Sequence, residues 1–343
     1  MNSMLKKTLT AAAAAVLVFT GVSRTASAES NNPADIIADY VARVQAEEYE
    51  DVYNESFSIA RHVNGKEEYF NTLKVLYGNL DSLQYKVLSE TADEKLFALY
   101  SNDEHIANLR HRKLADGSWA TATSFLGEQD YIVEVPSGLK IRANGTALTD
   151  AYMLAEKTTA TNVSGLNSVQ ADLAVDQYKL QGMISEPVIA VEGDNNYTTI
   201  KDVTCNSLYV GRDLTDNKEL QDTLITYAKT CAMWPAGDTT VGAVAAISIQ
   251  DSDWYRRVSE VQNFWFTAHS APTFSNEKVL KIVQQGDDTI IANVVFDYYA
   301  TDGVVSRTWN CGYQMTLVDV GGYWMIAGMG IDSTMNPNYK AKY

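Results

Sequence analysis

Histidine and cysteine are scarce, and where they occur their spacing suits no metal. Four histidines (His62, His105, His111, His269) and three cysteines (Cys205, Cys231, Cys311) are spread over 343 residues. They form no Cys-x-x-Cys pair and no ligand set at metal-binding spacing, which argues against a metal site. Three cysteines are too few for a disulfide framework; a single Cys205–Cys231 bridge stays open in an oxidising compartment, beside the alternative of buried free thiols. The chain also lacks a Gly-x-Ser-x-Gly elbow, a P-loop and a dinucleotide-binding glycine motif. Hydrolase, kinase and dehydrogenase readings lose most of their support, and no cofactor is expected. Positive charge is thin: 27 Lys+Arg stand against 43 Asp+Glu, a formal charge of −16. Such a surface disfavours nucleic acid and anionic membranes and leaves cationic or neutral partners open.

Long apolar runs are missing as well, except at the start. Lys6 and Lys7, the apolar run 9–22 and the small residues Ala26-Ser27-Ala28 have the layout of a secretory signal peptide. That run is too short for a spanning helix, which needs roughly twenty residues. Export with cleavage after Ala28 is therefore expected, giving a secreted protein or one on the outer face of the cell envelope. Lys6, Lys7 and Arg24 would leave with the leader and no acidic residue would, so the negative charge deepens.

What is present is pattern. Val305, Arg307, Trp309, Cys311, Tyr313, Met315 and Leu317 alternate with a polar set, the mark of a strand with one apolar face. Asp319 to Gly322 makes a turn, and Tyr323, Met325, Ala327, Met329 and Ile331 continue as a second alternating strand, with Trp324 and Ile326 on its other face. A lone hairpin is only marginally stable, so helices or more strands must cover it. Upstream, Ser252 caps a helix carrying Tyr255, Val258, Val261, Phe264, Trp265 and Ala268, and Asp216 with Glu219 reads as the start of another that ends at Trp234-Pro235. Strands are expected at 278–284 and 289–299.

The N-terminal third has the same order. Asn32-Pro33 starts a helix with apolar positions at Ile36, Ile37, Tyr40, Val41 and Val44. A second helix carries Tyr69 to Tyr77, and strands follow at 83–88, 95–100, 105–114 and 118–125. Between the two helix-then-strand units, residues 131–135, 139–143, 177–182 and 187–191 read as short strands. The expected class is α+β: signal peptide 1–28, an α+β domain 29–128, a small all-β module 129–203, and a second α+β domain 204–343, each α+β unit able to fold alone.

The closing strands "DGSW" and "GGYW" and the order of elements resemble the NTF2-like cone, in which a curved antiparallel sheet wraps helices. The middle stretch "VEVPSGLKIRANG" resembles small β modules of Gram-positive envelope proteins, including the extracellular region of TcaA-type proteins, where such a hairpin sits beside NTF2-like domains. The chain departs from those proteins in having a cleavable signal rather than a zinc ribbon and membrane helix. The resemblance implies a pocket between sheet and helices, and some NTF2-like relatives use it for acid–base chemistry.

Candidate residues follow. In a ketosteroid-isomerase-like enzyme, Asp297 or His269 would be the base, Asp297 from a strand face shared with Asn293 and Val295, His269 from the end of the Trp265 helix. The blander reading has Asp297 facing solvent and His269 as an ordinary residue at a helix C-terminus. Tyr255, Trp265, Trp309 and Tyr313 could stack on a ligand, although strand and helix spacing already explains them as core. Arg110, Arg112 and Lys113 flank His111 in a basic cluster, read either as a charged edge strand that resists pairing or as a site for an anionic partner. Two functions follow: an exported, non-catalytic binding or scaffolding protein of the bacterial envelope, with wall polymer or another envelope protein as partner; or an isomerase-like enzyme or small-ligand binder using the pocket of the C-terminal domain. An open pocket with a polar floor favours the second, a core filled by Trp, Phe and Met the first.

Overall fold

The computed structural model of the chain describes residues 15–18, 32–56, 63–80, 82–163, 165–166, 173–261, 269 and 272–341. It is a mixed α+β structure, richer in strand than in helix. The chain forms two compact units: residues up to Asp130 with Gln181–Pro187, and Tyr131–Leu180 with Val188 onward.

In the first unit a four-residue strand, β1 (Ala15–Val18), precedes helices α1 (Pro33–Gln45), α2 (Tyr49–Glu55) and α3 (Lys66–Tyr77), then strands β2 (Ser82–Glu90), β3 (Glu94–Ser101), β4 (Glu104–Lys113) and β5 (Trp119–Phe125). Helix α1 begins where the sequence says it should: the Asn32 side chain accepts from Ala34 N, and Pro33, with no N–H to satisfy, opens the first turn. Ile36, Ile37, Tyr40, Val41 and Val44 recur at helical spacing and bury one face against Leu83, Phe97, Leu99 and Leu109 of the sheet. The hydroxyls of Tyr40 and Tyr77 would be costly in that core, but both meet Thr123 Oγ1, at 3.0 and 2.9 Å. The sheet runs in the order β1-β2-β3-β4-β5, all antiparallel. The leader-like residues thus contribute β1 on the open edge of β2; the rest of 1–31 lies outside the described residues.

This order corrects one expectation. Strand β4, with Arg110, Arg112 and Lys113, is flanked by β3 and β5 and is no edge. Arg110 and Arg112 both lie within ion-pair distance of Glu94, at 3.8 and 3.9 Å. Between them His111 turns inward, stacked on Trp119 at 4.7 Å with Nδ1 on Thr121. Burial and the nearby Lys95 ammonium push its pKa down to about 4. The folded state therefore prefers neutral His111, so its contribution is complete above the ordinary histidine pKa and is lost as pH falls from there towards 4. Urea melts of the wild type should weaken across that window, and His111→Gln should flatten the change.

The second unit holds β6 (Gln129–Pro136), β7 (Ile141–Ala143), β8 (Thr146–Ala147), β9 (Met153–Thr159), β10 (Ala174–Met183), β11 (Ile189–Val191), β12 (Tyr197–Lys201) and β13 (Ser207–Asp213). After these come α4 (Lys218–Ala236), α5 (Val241–Ala246), α6 (Asp253–Ser259), β14 (Thr273–Gln284), β15 (Thr289–Thr301), β16 (Ser306–Asp319) and β17 (Trp324–Ile331). One nine-stranded sheet runs β17-β16-β15-β14-β13-β6-β10-β9, with β12 paired to β13; β11, β7 and β8 make a small separate sheet. The separate middle module expected for 129–203 is therefore not what forms. A parallel pairing of β6 with β13, Leu208 opposite Val133, builds most of that stretch into the sheet of the C-terminal strands. Wholly buried Glu134 on β6 is held by Thr161 N (3.1 Å), Thr161 Oγ1 (2.6 Å) and Gln177 Nε2 (3.0 Å), which ties β6 to the segments on either side.

The helices start and stop for local reasons. The α4 cap is Asn217, whose side chain accepts from Leu220 N, one residue later than the Asp216 start expected. Pro235 is tolerated in the last turn, and Gly237 at φ 82° ends the helix in the left-handed region. Ser252 caps α6 by accepting from Tyr255 N. Residues 262–268, with Trp265, lie outside the described residues. All three cysteines are free, Cys205 exposed and Cys231 and Cys311 buried, so the Cys205–Cys231 bridge is absent. Among the described residues no helix is long and apolar enough to cross a membrane.

Candidate functional site

Strands β15 and β16 pair without a break from Thr289↔Val318 to Thr301↔Ser306. Directly opposed residues share a face, so Tyr298/Trp309, Phe296/Cys311, Val294/Tyr313, Ala292/Met315 and Ile290/Leu317 make one wall. Helices α4 and α6 pack on it through Leu224, Ala228, Cys231, Ala232 and Trp254. The expected apolar face of β16 is this wall. The other face is no surface either: Gln314 and Thr316 are buried, with Gln314 Nε2 donating to Lys201 O at 2.7 Å and Asn293 Oδ1 at 3.0 Å.

On β17 the expected alternation fails halfway. Thr316 faces Gly328 but Leu317 faces Ile326, so Ala327 is an extra residue, a β-bulge. Ahead of it Trp324 and Ile326 join the wall while Met325 and Ala327 pack with Val318 and Ile249; beyond it Met329 returns to the wall. One inserted residue exchanges the two faces.

Towards the end of this wall the packing stops short of filling the space. A cavity of about 490 Å³ opens there, with Cys231, Ala232, Tyr298, Cys311 and Tyr313 as its buried inner end and Trp234, Val258, Trp309 and Met329 along its sides. Its mouth is formed by Thr308, Ile331, Tyr339 and Lys340. Aromatic rings fix the sides: Trp309 meets Tyr298 edge-on at 5.7 Å, and Trp234 Nε1 is anchored by Val258 O at 3.0 Å. Burial pushes the Cys231 thiol up to about 12 and the Cys311 thiol up to about 11, so neither ionises at neutral pH. The described lining residues include no Asp, Glu or His. Of the four aromatic residues singled out from sequence, Trp309 and Tyr313 line the cavity; Tyr255 packs against the core cluster beside it.

The two proposed bases do not meet there. Asp297 points to the opposite sheet face, where it accepts from Asn276 (2.7 Å), Asn310 (2.8 Å), Asn336 (3.1 Å) and Asn338 (2.8 Å). Burial pushes its pKa up, but these four amides outweigh that and hold the carboxyl below its usual value. A carboxylate so satisfied is an anchor for the C-terminal segment, and Asp297 is not among the residues that line the cavity. His269 instead places Nε2 2.9 Å from Asp238 Oδ2, which also accepts from the Tyr298 hydroxyl. Of this Tyr298–Asp238–His269 cluster, Tyr298 is the member among the described residues that line the cavity. Sequence reasoning missed Asp238, since an aspartate just past a helix-ending glycine has no distinguishing spacing.

Of the basic residues singled out from sequence, Arg110 and Arg112 sit beside Glu94 on a strand inside the first unit's sheet. Among the described residues no group of three or more His, Cys, Asp or Glu could hold a metal.

No protein-family model matches the chain, and no curated protein sequence matches it. Among solved structures the chain is similar to an NTF2-like protein involved in plasmid conjugation, at 9% identity, covering 91% of this chain and 93% of that one, with a TM-score of 0.26. A likeness that loose carries no argument about function. The sequence comparisons lend no support to the TcaA-type resemblance.

Proposed function

We propose that this chain is an exported protein that binds a small ligand with a largely apolar body, without transforming it, in the cavity of its second unit. The observation that carries the proposal is the cavity itself: about 490 Å³, walled by aromatic and aliphatic side chains, with no carboxylate or imidazole among its described lining residues. Cavities of roughly 300–1,000 Å³ with mostly apolar walls and a few polar groups are the usual form of small-molecule sites. The NTF2-like order of helices and strands supports the same reading, since a pocket between sheet and helices is what that resemblance implies. The leader-like residues 1–28 support export, with the envelope as the place of action.

An isomerase-like enzyme is the second reading, and the Tyr298–Asp238–His269 cluster is what favours it. It is the weaker one, because the Tyr298 hydroxyl is already spent on Asp238 and burial and that carboxylate push its pKa up. The test is a titration of the secreted protein with small apolar fluorophores, following the emission of the cavity tryptophans. Saturable binding with unchanged ligand on recovery supports the proposal; the absence of any saturable change counts against it. Intact mass of the secreted chain, beginning at Glu29, checks the export half.

A further inference from the structure

We propose that the ligand is a single-headed amphiphilic anion, an aliphatic carboxylate whose chain lies along the aromatic walls and whose head sits at the mouth beside Lys340. This rests on the small-ligand reading above and names the ligand class for the same cavity.

The cavity is polarised along its length. Its inner end offers nothing to a charged group: Cys231, Ala232, Cys311 and Tyr313 are buried, and the Tyr298 hydroxyl is turned to Asp238. Burial keeps both thiols neutral. A charged head pushed to that end would lose its hydration with no partner, which costs far more than any contact there returns.

The mouth is the opposite. Lys340 is the one charged side chain among the described lining residues, and it is exposed. Ser333 stands on the same lining and brings a hydroxyl. An ammonium and a hydroxyl, both donors, suit a carboxylate, which only accepts. The chain as a whole carries a formal charge of −16, so a lone cation at the mouth of an apolar cavity selects sign locally, against a background that repels anions elsewhere. A cationic amphiphile would meet the reverse at the mouth.

The experiment titrates the full mature chain with decanoate, decan-1-ol and decylammonium, read by calorimetry and tryptophan emission. Decanoate is expected to bind, and more tightly than decylammonium. Lys340→Glu is expected to weaken decanoate about fivefold or more, the scale of reversing one exposed charge pair, and to leave decan-1-ol unchanged. Equal binding of all three probes, or decanoate indifferent to Lys340→Glu, would overturn the anionic head while leaving a cavity that binds apolar chains. Failure of all three to bind would remove the small-ligand reading with it.

Discussion

Trp309→Ala is expected to leave the second unit folded and to weaken ligand capture sharply. The ring is half-buried, stands edge-on to Tyr298 at 5.7 Å and forms a side of the cavity. Truncating a wholly buried tryptophan costs about 3–5 kcal/mol, because transfer energy and a new void add. Here the void already exists on one side, so the expected loss is about 1–2 kcal/mol, within the ordinary range for single changes. Binding should suffer more. Aromatic anchors at the centre of a site typically contribute about 2 kcal/mol or more, a loss of roughly thirtyfold in affinity. Urea melts and a ligand titration on the same variant check both halves. A stability loss above about 3 kcal/mol would show that the ring is core and that the cavity is not open to a ligand at this point.

Asp297→Ala should be strongly destabilising to this unit. The carboxylate is 6% exposed and takes four amide donors from three separate stretches of chain. Of the four, Asn336 keeps other acceptors, Phe296 O and Cys311 O. Hydrogen bonds to a charged group contribute about 1.5–3 kcal/mol, and stranded buried donors cost about 1–3 kcal/mol. A loss of about 3 kcal/mol or more is expected, with amide exchange at Asn336 and Asn338 accelerating before the sheet opens. Because the folded pKa lies below the unfolded one, this stabilisation is complete above the usual carboxylate range and is lost as pH falls through the depressed value. Asp297→Ala should therefore also flatten the acid limb of the stability profile.

These two residues show how legible the sequence was. Trp309 and Tyr313 were within reach because a strict two-residue alternation names a strand face, and the cavity lies on that face. Asp297 stood out as an acid in an apolar strand, but its partners Asn336 and Asn338 sit about 40 residues away in a segment with no periodicity. Nothing local says that they would fold back onto it. Tyr298 shares the face of Phe296 and Val294, and its neighbour Asp297 points to the other side of β15, so the acid in the strand does not mark the cavity face. The caps at Asn32 and Ser252 were readable because a cap is chemistry between residues two or three apart. The bulge at Ala327 was not, because one inserted residue has no signature until its partner strand is known. The pairing of β6 with β13 was missed for the same reason at longer range: about 75 residues separate the two strands.

That last pairing has a bearing on the order in which the chain acquires its shape. In the first unit strands β2 to β5 each pair with the next in sequence, so their registers can close as the chain emerges. The second unit must wait. Its strand β6 has no parallel partner until residues 207–209 arrive, and β13 then has to meet β14 through Arg212↔Gln284 and Asp213↔Val283. Non-local closures of this kind slow folding, because chain entropy is lost before contacts compensate. A chain beginning at residue 216 would never make them, and would leave Val283 and Ile291 without Ile200 and Tyr209, which bury them here. During synthesis β6 can pair with β10 and β10 with β9, but the other edge of β6 stays open until β13 arrives, and it is for that edge that a holding chaperone would have most to do.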